Sequence, residues 1–438
     1  MAILLGNENL NVIEEVVLSS SQTYTARRTG IADVVCVGAG GQGGSSGKGN
    51  SLPSILNITG GGAGGYSRKR IPITAGDTFT VVVGAGGEDA TRMPGAGNDE
   101  AGNSGGESTF DHASATATIA LDSNGGVGGL ANRTTTASGA TYAGGAGGTA
   151  TGGDVNFTGG RGGTITRSNT ASNMGNFATG GGAVAVFGKA FNGGDINFTA
   201  NGSTSTTAAT GGAGVGGNGG GVLYGTSANN SLCATSGGSA GGEGNGFTAA
   251  QTDAQSHTSG LSSLATNDVT AGGSRLPSHG GYGVAITEAI NLAGQGGTGS
   301  TKGDLSGFNQ AAYNTIYGGN DRIPFDTDSS SEISDFYSGY SGPTGWGGGG
   351  GAAAGPGNDN FSNIRIAAGN GAPFAGGGGV ACTCDSELAS GNGTVSSSGR
   401  GGKAGGGSGG CHLGTNVSNS TVEWASGGDG LVIIQYLG

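Results

Sequence analysis

Gly61-Gly62-Ala63-Gly64-Gly65-Tyr66-Ser67-Arg68-Lys69-Arg70-Ile71-Pro72-Ile73-Thr74-Ala75-Gly76-Asp77-Thr78-Phe79-Thr80-Val81-Val82-Val83-Gly84-Ala85-Gly86-Gly87 is the stretch on which the fold turns. Bare backbone gives way to a strand over residues 66–73. A turn at Ala75-Gly76-Asp77 follows, then a second strand over residues 78–83 and bare backbone again. The β-branched runs predict strands, and the Gly-Asp between them predicts a tight hairpin turn. Val37-Gly38-Ala39-Gly40-Gly41 repeats Val83-Gly84-Ala85-Gly86-Gly87. Both are read as strands that leave a sheet in one direction and enter a layer of glycine.

Working outward, further strands are predicted over residues 12–18, 22–26 and 32–37, and Leu431-Val432-Ile433-Ile434-Gln435-Tyr436-Leu437 is the strongest apolar strand in the chain. A run that apolar needs cover on both faces. It is therefore expected to pair with the N-terminal strands and close an antiparallel β-sandwich around a long insertion. The expected divisions are an N-terminal attachment strand (1–18), a β-sandwich glycine-rich domain (19–112 plus 418–438) and a glycine-rich insertion (113–417). The insertion contains an aromatic-richer segment over 304–346. The fold class is mainly β. Helix signals are nearly absent, the best candidates being residues 286–292 and 305–317, both too short for periodicity to decide.

Glycine supplies 106 of 438 residues, while hydrophobic residues make up 33% and charged residues 11%. Each glycine loses more backbone freedom on folding than any other residue, so such a chain is either disordered or ordered by backbone contacts. Low charge argues against disorder. Collagen is excluded because no strict Gly-X-Y period runs through the chain and only 8 prolines occur. Polyglycine-II-like helices offer the alternative: with three residues per turn and no side chains, they pack backbone to backbone through lateral N–H···O bonds. Within the insertion, Gly152-Gly153-Asp154-Val155-Asn156-Phe157-Thr158 returns as Gly193-Gly194-Asp195-Ile196-Asn197-Phe198-Thr199, with looser copies at residues 55–59 and 289–293. Stacked short extended segments joined by glycine tracts would produce such echoes.

A net charge of -12 with 17 Lys and Arg leaves no basic surface for phosphate backbones, so nucleic acid is not an expected partner. The start Met1-Ala2-Ile3-Leu4-Leu5-Gly6-Asn7-Glu8 has no basic region ahead of a long apolar one, and no run reaches membrane-spanning length, so membrane insertion is not expected and synthesis in a cytoplasm is. Five scattered cysteines, an odd and sparse set, are read as reduced thiols.

Chemical motifs fail on inspection. Gly38-Ala39-Gly40-Gly41-Gln42-Gly43 matches a dinucleotide fingerprint, but a chain this rich in glycine matches by chance about six times, and no helix follows to bind phosphate. Gly47-Lys48 lacks both the first P-loop glycine and the hydroxyl that holds magnesium. Cys382, Cys384, Cys411 and His412 supply four soft ligands at a spacing that fits no standard zinc knuckle, so no metal or other cofactor is expected. His112, His257, His279 and His412 lie far apart with no nucleophile at a recognisable spacing, and no enzyme is expected. Asp321, Asp326, Asp328, Glu332 and Asp335 form an acidic cluster read as solvated loop charge, with a glycosidase pair as the rival reading. Tyr313, Tyr317, Phe325, Phe336, Tyr337, Tyr340 and Trp346 are either small-core packing or rings that stack on sugar faces or grip a surface protein.

Taken together, the glycine run ending in Tyr66, the Gly76-Asp77-Thr78 turn, the strand ending Val83-Gly84-Ala85-Gly86-Gly87 and Gly105-Gly106-Glu107-Ser108-Thr109-Phe110 resemble the glycine-rich domain of bacteriophage tail-fibre and receptor-binding proteins. The ending Gly427-Gly428-Asp429-Gly430-Leu431-Val432-Ile433-Ile434-Gln435-Tyr436 is similar too. Arg27 and Arg28 depart from that pattern, where a Pro-containing turn is common, and leave the first turn's geometry open. The resemblance implies a virion protein assembled in the host cytoplasm, a tail fibre or tail-tip adhesin, whose partners are other tail proteins and a host surface glycan or outer-membrane protein. The expectation extends to a homo-oligomer, a trimer first, with the seven aromatic residues above as the host-contacting set. Its rivals are an architectural virion component, such as a head decoration or tail attachment protein, and a surface-polysaccharide depolymerase.

Overall fold

The computed structural model describes residues 12–46, 55–88, 99–113, 118–134, 139–167, 175–184, 192–194, 399–413 and 426–438, with isolated short segments elsewhere between 190 and 423. Among these residues there is no α-helix, and the architecture is mainly antiparallel β. In chain order the first strands are β1 (Val12–Leu18), β2 (Gln22–Thr25), β3 (Gly30–Val37), β4 (Ser45–Ser46), β5 (Ile55–Ile58), β6 (Tyr66–Ile73), β7 (Thr78–Val82) and β8 (Asp99–Glu100). They continue with β9 (Ser108–Ala113), β10 (Thr118–Ser123), β11 (Ala131–Thr134), β12 (Ala140–Tyr142), β13 (Ala150–Thr151), β14 (Val155–Phe157), β15 (Ile165–Arg167) and β16 (Gly175–Ala178). The strand Leu431–Leu437 is called the closing strand.

Two five-stranded antiparallel sheets form a sandwich. One runs β1, closing strand, β3, β6, β14; the other runs β13, β10, β9, β7, β2. The closing strand lies between β1 and β3, with Ile434 level with Val16 on one side and Val34 on the other. Val34, Cys36, Ile71, Val432, Ile434 and Tyr436 from the first sheet meet Tyr24, Phe79, Val81, Phe110 and Leu121 from the second. Phe79 stacks on Phe110 with ring centroids 4.6 Å apart. The closing strand also contributes Leu431 and Ile433 to a second cluster with Val37, Tyr66, Val184 and Phe374 on the sheet's other face. Its apolar character on both faces, legible in the sequence, is thus used on both faces.

The turn at Ala75-Gly76 corrects one expectation. β6 and β7 do not pair: the first lies in one sheet and the second in the other, so the turn bridges the two layers. Asp77 N–H donates to the Thr74 carbonyl at 2.9 Å and Gly76 has φ +96°, a positive angle at the third turn position. That is type II turn geometry, whose twist splays the flanking strands where a hairpin would keep them side by side. Arg27 and Arg28, at the neighbouring turn, reach back to Glu14 on β1 at 3.4 and 2.6 Å. The candidate helix at residues 286–292 is instead part of an antiparallel pair, Gly283–Thr287 with Ile290–Gly294. Residues 305–317 lie outside the described residues.

Beyond one end of the sandwich the chain continues as an array of glycine tracts. Gly38, Gly41 and Gly44 donate their N–H groups to the carbonyls of Gly65, Gly62 and Thr59, at 2.9, 2.8 and 2.9 Å. Ala39 and Gln42 donate in a second direction to Gly106 and Asn103, at 3.0 and 2.8 Å. Their own carbonyls accept from Gly126 and Gly129, both at 2.8 Å, and the Gly41 and Gly44 carbonyls accept from Gly407 and Gly410, at 2.9 and 3.0 Å. Each partner is served at every third residue, which is the signature of a three-residue-per-turn extended helix bonded to its neighbours sideways. Among the described glycines only Gly30, Gly76 and Gly152 have positive φ, so the tracts need glycine for proximity. An added Cβ at Gly62, for example, would run into the backbone of Gly145 and Ala146.

The echoed segments occupy different places. Val155–Phe157 lies in the sandwich, paired with β6, after a turn where Gly152 has φ +80°. Its counterpart Ile196–Phe198 pairs in parallel with β15 on the far side of the array, and Gly193 N–H donates to the Arg161 carbonyl within the array. A shared local sequence therefore builds a strand in both places, while the neighbours available decide which layer it joins.

Candidate functional site

The glycine tracts of the array have strands at both of their ends. At the sandwich end, β3, β7 and β10 run into glycine tracts, and other tracts run into β6, β9 and the closing strand. At the opposite, distal end the same tracts become strands again: β4, β5, β8, β11, β12, β15, β16 and Gly410–Leu413. These pair as β11, β5, β16 in one sheet, β12, β15, Ile196–Phe198 in another, and Gly410–Leu413, β4, β8 in a third. Several distal pairs are parallel, among them β5 with β16 and β4 with Gly410–Leu413, because tracts running the same way emerge side by side. The connecting segments 47–54, 89–98, 135–138 and 168–174 all link distal strands or tracts and lie outside the described residues.

Of the seven aromatic residues expected to contact a surface, only Tyr337 is described, where Tyr337–Ser338 pairs in parallel with Ile366 and Ala367. Tyr313, Tyr317, Phe325, Phe336, Tyr340 and Trp346 lie outside the described residues, as do Asp321, Asp326, Asp328, Glu332 and Asp335. Val380–Thr383 pairs in parallel with Gly410–Leu413, which sets Cys382 level with His412 and Cys411 level with Ala381. Cys384 lies outside, and no metal-ligating group of three occurs among the described residues.

A lateral face of the array went unread in the sequence although its signal is plain. Asn124-Gly125-Gly126-Val127-Gly128-Gly129-Leu130, Ala143-Gly144-Gly145-Ala146-Gly147-Gly148-Thr149 and Thr158-Gly159-Gly160-Arg161-Gly162-Gly163-Thr164 repeat a non-glycine residue at every third position. In a threefold helix such residues line one side. Val127 and Leu130 stand outward at 48% and 46% exposure, and Ala143, Ala146 and Thr149 are exposed beside them. The tracts at residues 38–44, 59–65 and 179–184, by contrast, are buried throughout, and their non-glycine residues, among them Ala39, Gln42, Ala63 and Val184, are buried with them. Outer tracts thus carry side chains on their solvent side, and inner tracts carry theirs inside the protein, as Ala63 and Val184 do.

Among the described residues, the sandwich holds a buried charge cluster. Asp33, 3% exposed on the central strand β3, is bonded by Arg68 and by Arg70, the latter at 3.0 Å. Burial alone would raise its carboxyl; the hydrogen bonds from Arg70 and Arg68 outweigh that and hold it below the ordinary value. Hydrogen bonding to Arg28 is the main cause that lowers Glu14. Tyr24 and Tyr436 share a buried hydroxyl pair at 2.7 Å, and Arg27 N–H donates to the Tyr436 oxygen at 3.1 Å, which ties the first turn to the closing strand. Desolvation pushes the Tyr66 hydroxyl up to about 12. Cys36 is fully buried, donates to the Ser108 carbonyl at 3.1 Å, and has its thiol raised by the same cause. In the distal layer Asn57 is fully buried with neither amide atom hydrogen-bonded, a local cost of about 1–3 kcal/mol.

A β-sandwich continued by a close-packed glycine array, with a second strand layer beyond it, defines a class of protein ordered through its backbone. Residues 17–260, more than half of the chain, match the glycine-rich domain, and the chain belongs to that family. No curated protein matches it.

Proposed function

We propose that this chain is a structural, non-enzymatic adhesin of a bacteriophage virion, a tail fibre or tail-tip protein. In this reading the sandwich faces the particle and the distal layer faces the host surface. The observation that carries it is the two-ended array: several tracts connect one sandwich to many separate distal segments. A body ordered by backbone bonds keeps its form whatever side chains the distal segments carry, so a recognition surface there can change without disturbing the support. The tail-fibre resemblance of the residues around Gly76-Asp77-Thr78 adds to this, and the partners proposed are other tail proteins and a host glycan or outer-membrane protein.

Purified protein is expected to bind susceptible cells and to compete with phage adsorption. Replacing residues 47–54 and 89–98 with Gly-Ser sequences should abolish binding and leave the denaturation midpoint unchanged. Absence of both binding and competition by the folded protein would sink the adhesin reading and favour an architectural virion component, which particle imaging would locate on the capsid or tail.

A further inference from the structure

We infer that the groove between β1 and β3 is a strand-receiving site, and that entry of residues 431–437 into it is the late step that completes both the sandwich and the array. This rests on topology and goes beyond the adhesin reading. β1 pairs with the closing strand and with no other strand among the described residues. Without that strand the first sheet is split: β1 has no neighbour, and β3 presents an open edge along Ile31 to Val37.

The groove selects its occupant closely. An extended segment must place Val432, Ile434 and Tyr436 into the core between the sheets and Leu431 and Ile433 into the cluster on the other face. It must also bring a hydroxyl to Tyr24 at 2.7 Å and a side-chain amide to Glu15 at 2.6 Å. Entry closes the array at the same time. Gly427 and Gly430 donate to the carbonyls of Gly87 and Gly84 at 3.0 and 2.9 Å, Gly40 donates to Gly428 at 2.8 Å, and Ala404 donates to Asp429 at 2.8 Å. The chain that links these partners is long, since Tyr24 and Tyr436 are 412 residues apart. β1 and β3 are both synthesised before the strand that lies between them, and the loop to be closed spans several hundred residues. Until then the groove is an open, apolar strand site with the hydrogen-bonding edges of two strands exposed.

Two measurements test this. In a permuted chain that starts at Ser426, passes from Gly438 into Met1 and ends at Ala425, residues 1–11 bridge two strands that already lie side by side, Leu437 being level with Val12. Loop-closure scaling limits the acceleration of refolding to about two hundredfold, and at least about tenfold is expected. In the second, the unpermuted 438-residue chain is refolded with an excess of a fluorescent peptide of residues 430–438. Capture is expected during refolding and about tenfold less when the peptide is added to folded protein. Strand-exchanged dimers formed during concentrated refolding also support the inference, the groove then being filled by a second copy. A folded permutant that refolds at the parent rate overturns it, and so does failure to capture the peptide during refolding; if the permutant does not fold, capture decides.

Discussion

Gly105→Ala isolates the principle on which the array stands. A Cβ at this position would lie 2.5 Å from the carbonyl oxygens of both Ala39 and Gly40, which are backbone atoms of a buried tract. Relieving the overlap to an ordinary carbon–oxygen contact requires a displacement of roughly 0.8 Å. The tract cannot move that far and keep its bonds. Gly105 N–H donates to Gly126 at 2.9 Å, Gly106 N–H to Ala85 at 2.8 Å, and the Gly106 carbonyl accepts from Ala39 at 3.0 Å. Such a shift takes two of them beyond hydrogen-bonding range, and each buried group left unpaired costs about 1–3 kcal/mol, so a loss of about 3 kcal/mol is expected. Equilibrium denaturation of Gly105→Ala beside Ser104→Ala is the assay. Ser104 is exposed in the same tract, and its substitution is expected to change stability by less than about 0.5 kcal/mol. If Gly105→Ala is as mild as Ser104→Ala, the tracts are not held by backbone proximity and the account of the array is wrong.

Three further expectations follow from the sandwich. Gly76→Ala meets no atom within 4 Å, so its cost is backbone strain alone at φ +96°, about 1–2 kcal/mol by denaturation, with the fold retained. Asp33→Asn should destabilise by about 2–3 kcal/mol at neutral pH, below the range for fully buried pairs because the Arg70 side chain is 36% exposed. Since the folded Asp33 carboxyl is held low, its contribution is complete above the ordinary carboxylate range and drains away as pH falls through the lowered value. The parent should therefore lose more stability on acidification than Asp33→Asn, and parallel acid limbs would refute the assignment. Iodoacetamide labelling with peptide mapping should leave Cys36 unmodified in the folded protein at pH 8 and modify it on unfolding, because its thiol is buried and raised; rapid native labelling would contradict that environment.

The candidate site was legible only in part. The spacing of Val127 and Leu130 by two glycines already states that these side chains share one side of a threefold helix, and no tertiary knowledge is needed to see it. The position of Asn57 is different. Its neighbourhood in sequence matches that of Asn156 and Asn197, yet Asn57 is buried without partners while Asn156 is exposed and bonded through its side chain to Gly153. Such similar short patterns do not distinguish these cases, because burial depends on which tracts arrive alongside.

By itself the sequence determined that the chain would be β-rich, that Leu431–Leu437 would need cover on two faces, and that glycine would serve as packing surface. These follow from local periodicity and from the absence of side chains to bury. Only the tertiary structure decided that the Ala75-Gly76 turn joins two sheets, that a methyl is admissible at Ala63 and not at Gly62, and that Arg27 meets the hydroxyl of Tyr436. Ala63 has room because its methyl enters the cluster around Tyr66 and Ile433, whereas an added Cβ at Gly62 would face another tract's carbonyls. Which neighbour a backbone meets is set by chain that lies tens to hundreds of residues away, and no local pattern carries that distance.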